Sequence, residues 1–200
     1  MFEKLLKPQE FRWPQPGDQL LREATHWESG VRFADHHIAR DSHIWDGYVR
    51  GASVLVDHCK QHDIDRHDLA YVIIFNYRHG LEVAIKWVLD RYGRYVDIRD
   101  RGQNHDLATL WRMCKRVITE LGGPGDDAAL DAVEKIVLEF HALDPTSFAF
   151  RYSKSKKGKT MELPDIVVDL VNLQEVMEGV NNFFIGVDGQ LDSASSAAEF

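Results

Sequence analysis

Cysteine is nearly absent. Cys59 and Cys114 are the only two in 200 residues, and no CxxC pair exists. A disulfide framework is therefore excluded, and the two thiols read as reduced, buried residues of a cytoplasmic protein. No run of 18 apolar residues occurs, so no membrane span is expected. The opening stretch Met1-Phe2-Glu3-Lys4-Leu5-Leu6-Lys7-Pro8 is too short and too charged for a secretory signal. Positive charge is in deficit: 24 Lys and Arg stand against 32 Asp and Glu, a formal charge of −8. Such a chain does not coat nucleic acid through its bulk field, which leaves only a local basic patch for that purpose. A Walker loop, a GxGxxG turn, a Ser-His-Asp order, a nucleotidyltransferase GS motif and internal repeats are all missing. No cofactor is expected.

What is present suffices for a real core. The hydrophobic fraction is 44% and aromatics make up 10%, which excludes disorder as the class and fits one domain. Residues 1–40 read as an arm. Pro8, Pro14, Pro16 and Gly17 keep its start extended, Phe11 and Trp13 are docking anchors, and a short helix is expected from Asp18 to Trp27.

From residue 41 to 190 the pattern is helical. Asp41 or Ser42 can cap a helix over 42–61, with Ile44, Trp45, Tyr48, Val49, Ala52, Leu55, Val56 and Cys59 at three-to-four spacing. Asp65 can cap a second helix over 66–92, ended by Gly93. A third begins at Asn104 or Asp106, and a fourth runs from Asp126 or Asp127 to about His141 after Gly122-Gly123-Pro124-Gly125. A fifth covers 170–186, and residues 191–200 read as a disordered tail. Alternation in Ser147–Tyr152 and Met161–Val168, with Gly158 between them, predicts a minor β-hairpin near 147–168. The expected fold class is mainly all-α, an antiparallel helical bundle.

The second helix is the most informative element. It is apolar on nearly every side, so it should lie deep. Yet Arg78, Glu82 and Lys86 stand four apart and stack on one side of it. Buried charges are costly unless paired, so something in the fold requires them.

Glu82 and Lys86, followed by His105, Leu107 and Leu110 at the start of the next helix, resemble the HEPN superfamily (higher eukaryotes and prokaryotes nucleotide-binding). The resemblance covers about residues 42–140. It implies a small helical bundle, and one of several outcomes. Many members are metal-independent ribonucleases of toxin, CRISPR and anti-phage systems; others are inactive partners of nucleotidyltransferases, or bind nucleotides. The family's nuclease motif is an Arg, a polar residue, and a His after four to six intervening residues. Arg99-Asp100-Arg101-Gly102-Gln103-Asn104-His105 fits, with five residues between Arg99 and His105. Gly102 and the surrounding charges place that arginine on a loop rather than a helix turn, so Arg101 or Arg78 could serve instead.

Cleavage of RNA without metal needs proton carriers and a cation for the phosphorane. Histidine titrates near neutral pH, and arginine grips phosphate. This reading makes His105 the general acid or base, and Arg99 or Arg101 the phosphate grip. Arg78, Glu82 and Lys86 hold the site from behind. One His and one Arg per chain are few, so the reading predicts a homodimer that brings two sets to one cleft. The same residues also read as a purely structural ion network. In that case the chain is a non-catalytic interaction, dimerisation or sensor module for a protein partner encoded beside it, or for a nucleotide.

Arg151, Lys154, Lys156, Lys157 and Lys159 form a run without acid, flanked by Phe150 and Tyr152. They can contact RNA phosphates, or they can be a solvated turn. His58 and His62 stand four apart on a helix with His67 and Asp57 close in sequence, but zinc requires a third or fourth converging ligand that sequence does not show, and no metal is assigned.

Overall fold

The computed structural model describes residues 12–99, 105–123, 127–155 and 157–198. The chain divides into two units, Met1–Ala34 and Asp35–Phe200.

In the first unit, Asp18 holds a tight turn by accepting from Arg12 Nη2 and from the Gln15 amide. The helix expected over 18–27 is not formed. A single 3-10 turn, Trp27–Ser29, is the only helical piece among its described residues. Leu20, Leu21 and Trp27, the apolar residues such a helix would bury, all stay exposed, so a nucleus would gain nothing from tertiary packing.

The second unit contains, among the described residues, α1 (His37–Gln61), α2 (Arg66–Tyr92), α3 (Leu107–Leu121), α4 (Asp127–Leu143) and α5 (Leu170–Ala198). The fold is mainly helical. Helix α2 is central: its buried residues run from Gly80 and Trp87 on one side, across Ile73, Tyr77 and Val88, to Glu82 and Leu89 on the other. Contacts Tyr48–His79, Ser53–Tyr77 and Trp45–Trp87 run in opposite chain directions, so α1 and α2 are antiparallel. Helix α5 runs antiparallel to α1, since Gln174 meets Asp57 and Phe184 meets Trp45. The edge of the Phe184 ring pair with Trp45 and that with Trp111 lock α1, α3 and α5 around α2. Each such buried aromatic contributes roughly 1.5–3 kcal/mol relative to an exposed one.

The caps differ from expectation at two helices. Helix α1 starts at His37 behind His36, with no side-chain cap. Asp65 precedes α2 but does not cap it, because its carboxylate accepts from His58 Nε2 at 2.7 Å instead. Asp106 does cap α3, accepting from the Thr109 amide at 3.1 Å and the Thr109 hydroxyl at 3.0 Å. Asp169 does the same for α5, through the amides of Val171 and Asn172. Gly93 ends α2 in a right-handed conformation. Its value is closeness rather than a left-handed turn, since a Cβ there would stand 2.8 Å from the Ile98 carbonyl oxygen. Asp97 takes the left-handed position instead, at φ 56.

The minor β-hairpin near 147–168 is corrected. No strand is present there among the described residues; Lys154 and Thr160 form one isolated antiparallel bridge. The Ser147–Tyr152 alternation is consumed by turns. Ser147 is left-handed at φ 61, and the amides of Arg151 and Tyr152 both donate to the Phe148 carbonyl. Helix α5 also outruns its expected end at 186. Leu191 and Ser195, in the segment read as a tail, are buried, and this packing carries the helix to Ala198.

Candidate functional site

Arg78 and Glu82 are both buried, at 0% and 1% exposure. All three guanidinium nitrogens donate. Nη1 donates to Glu82 Oε2 at 3.1 Å, Nε to the Asp144 carbonyl at 3.0 Å and Nη2 to the His105 carbonyl at 2.8 Å. Asp144 Oδ2 adds charge at 3.8 Å from Nε. A buried arginine needs this many acceptors because each unmatched N–H would carry a desolvation cost. One side chain on α2 thereby fixes the N-terminal approach to α3 and the C-terminal turn of α4.

Glu82 is the acceptor hub. Beyond Arg78, its Oε1 receives Lys86 Nζ at 2.7 Å and faces His105 Nδ1 at 2.8 Å. Burial alone would raise its pKa. The hydrogen bond and charge of Lys86, then those of His105, outweigh that and hold the carboxyl below its ordinary value. It is an ionised carboxylate in a dry place. The outer members reach water: the His105 side chain is 48% exposed and that of Lys86 28%. With Nδ1–H directed at a carboxylate, the tautomer of His105 is fixed and Nε2 becomes the atom able to exchange a proton.

His79 sits one turn before Glu82 on α2. Its ring stacks on Phe75 at 5.5 Å and meets the edge of Tyr48 at 4.5 Å. Burial pushes this histidine below its usual range, and Nδ1 is enclosed without a hydrogen-bond partner.

Of the residues singled out by sequence, Arg78, Glu82, Lys86 and His105 come together. Arg99 is exposed beyond the 3-10 turn Gly93–Val96, and none of its hydrogen bonds or ion pairs joins it to this cluster among the described residues. Arg101 lies outside the described residues. The basic run is divided. Arg151 Nε donates to the Ser147 carbonyl at 2.7 Å, a second N–H donates to the same oxygen, and the guanidinium lies over Phe75, Phe148 and Tyr152. Lys154 and Lys157 are exposed, Lys159 stands 3.4 Å from Glu162, and Lys156 lies outside the described residues. His58 and His62 have ring centroids 4.5 Å apart, but no group of three or more metal-ligand side chains gathers among the described residues.

Sequence reasoning missed Asp144. It reads as a helix stop before proline, yet its carbonyl serves Arg78 while its Oδ1 accepts from the Phe148 amide at 2.9 Å. A usable signal was there: a fully buried arginine demands acceptors from outside its own helix. No family model, no curated protein and no solved structure matches the chain. No helix among the described residues is long and apolar enough to cross a membrane.

Proposed function

We propose that this is a HEPN-like protein that cuts RNA without metal, in a prokaryotic anti-phage or toxin–antitoxin setting in the cytoplasm. The supporting observation is the pair Glu82–His105. A buried carboxylate holds one ring nitrogen at 2.8 Å while half of the ring stays open to solvent. That is how a proton-transfer histidine is oriented by a third group. Nε2 takes the 2′-hydroxyl proton, and the ammonium of Lys86 beside it offsets charge gathering on the phosphorus oxygens. Arg99 and Arg101 remain candidates for gripping the phosphate. A homodimer supplies a second imidazole for the leaving oxygen.

The test is incubation of the purified full chain with total RNA, with and without chelator, followed by end-group analysis. Chelator-resistant products with cyclic phosphate and 5′-hydroxyl ends are expected. His105→Ala should lose about 10²–10⁴-fold in rate. Absence of cutting at high protein concentration would end the nuclease reading.

A second reading, a non-catalytic binding or sensor module, is favoured by one separate feature. A cleft of about 1370 Å³ opens between α1, α2, α4, the start of α5 and the segment before it. It is lined by Ile74, Phe140, Leu143, Phe150, Leu163 and Val176, an apolar set suited to a ligand or a partner segment.

A further inference from the structure

The turn after α4 does two things at once. Its first residue, Asp144, is tied to Arg78 and so to the Glu82–His105 pair. Three residues on, the carbonyl of left-handed, buried Ser147 receives two N–H groups of Arg151. The guanidinium plane is thereby fixed, with its carbon 5.2 Å from the Phe75 centroid, 5.0 Å from Phe148 and 5.5 Å from Tyr152. Tyr152 also packs on Phe148 at 5.4 Å and remains 51% exposed. An exposed aromatic ring backed by an immobilised guanidinium is costly to build for solubility alone. It has the chemistry that holds an unpaired nucleobase by stacking.

Placement agrees. Phe75 precedes Glu82 by seven residues on one helix, roughly 10 Å at about 1.5 Å per residue. Phe75, His79, Glu82 and Lys86 share one side of α2, at spacings of four, three and four. Exposed Lys154 and Lys157 lie two and five residues after Tyr152, able to track a phosphate backbone in an otherwise acidic chain.

We propose that Tyr152, seated on the fixed Arg151 guanidinium, is a stacking platform for an unpaired base of single-stranded RNA, a nucleotide or two from the atom at which His105 acts. This rests on the reading of Glu82–His105 as an RNA site. Duplex RNA is excluded because its base faces are already stacked. Arg151 is then part of the platform rather than a phosphate contact.

The experiment uses the full chain and a short single-stranded RNA carrying 2-aminopurine, whose fluorescence falls when it stacks. It is run with wild type, with His105→Ala, and with Tyr152→Ala and Tyr152→Trp. Wild type and His105→Ala should quench alike. Tyr152→Ala should raise Kd by about tenfold, and Tyr152→Trp should restore it. A blunt duplex of the same sequence should bind much more weakly. Equal affinity of Tyr152→Ala, equal affinity for duplex, or no quenching by wild type overturns the platform. Cleavage is scored separately. Stacking without cutting keeps the platform and removes the nuclease; cutting with an unaltered Tyr152→Ala variant keeps the nuclease and removes the platform.

Discussion

Gly80 of α2 faces Val49 of α1 so closely that a Cβ at position 80 would stand 2.9 Å from Val49 Cγ2. The valine is β-branched and stiff, and the Val49 amide nitrogen lies at 3.5 Å behind it, so the helix pair has little room to yield. Alanine is the better helix former by about 1 kcal/mol. Overpacking here should outweigh that gain, at roughly 1–3 kcal/mol. Gly80→Ala is therefore expected to lower the denaturation midpoint, as read by urea titration followed by circular dichroism.

Removing the guanidinium of Arg78 strands two main-chain carbonyls and a buried carboxylate. Arg78→Met should cost about 3–5 kcal/mol, the range for breaking a buried ion pair from one side. Arg78→Lys should recover little, because one ammonium cannot reach acceptors on three separate segments. Thermal and urea unfolding measure both. A loss below about 1 kcal/mol in Arg78→Met would contradict the role assigned to it.

His79 sets a pH dependence. Enclosure lowers its folded pKa; the charge of Glu82 opposes this, while those of Arg78, His105 and Lys86 lower it further. The unfolded chain therefore binds the proton more readily. The contribution of the neutral ring is fully present above the ordinary histidine range, about pH 6.5, and drains away as pH falls through it. Wild type should lose stability between about pH 7.5 and about pH 5, and His79→Phe should show a shallower slope. The same variant removes a buried nitrogen that has no partner, so its stability at neutral pH should equal or exceed wild type. Chemical denaturation across that range gives both results.

Cys114 is fully enclosed, and burial pushes its thiol far above the usual range. Cys59 is shifted the same way, with burial as the main cause. A thiol reagent should modify Cys114 only at the rate at which the whole bundle opens. Cys59, nearer the surface, should react first. Mass-spectrometric labelling against time resolves the two sites.

Much of the bundle was legible in sequence because its cause is local. The α2 limits at 66 and 92 follow from an unbroken apolar pattern, and the Asp106 cap follows from a short polar residue before Leu107. The pairing of Arg78, Glu82 and Lys86 follows from their spacing on a helix apolar nearly all round. What escaped depends on distant chain. The end of α5 is decided by burial of Leu191 against other helices, not by propensity. The Ser147–Tyr152 alternation imitated a strand because aromatic turns and strands share composition. The carboxylate of Asp65 was free to cap α2 only until His58 arrived from α1.

Arg78 touches positions 105 and 144 through main-chain oxygens, which every amino acid supplies. Replacement of either side chain leaves those two anchors intact. The scaffold can therefore outlive its chemistry: relatives could exchange the imidazole for an inert group and keep the same frame, so a shared shape would be poor evidence of a shared reaction.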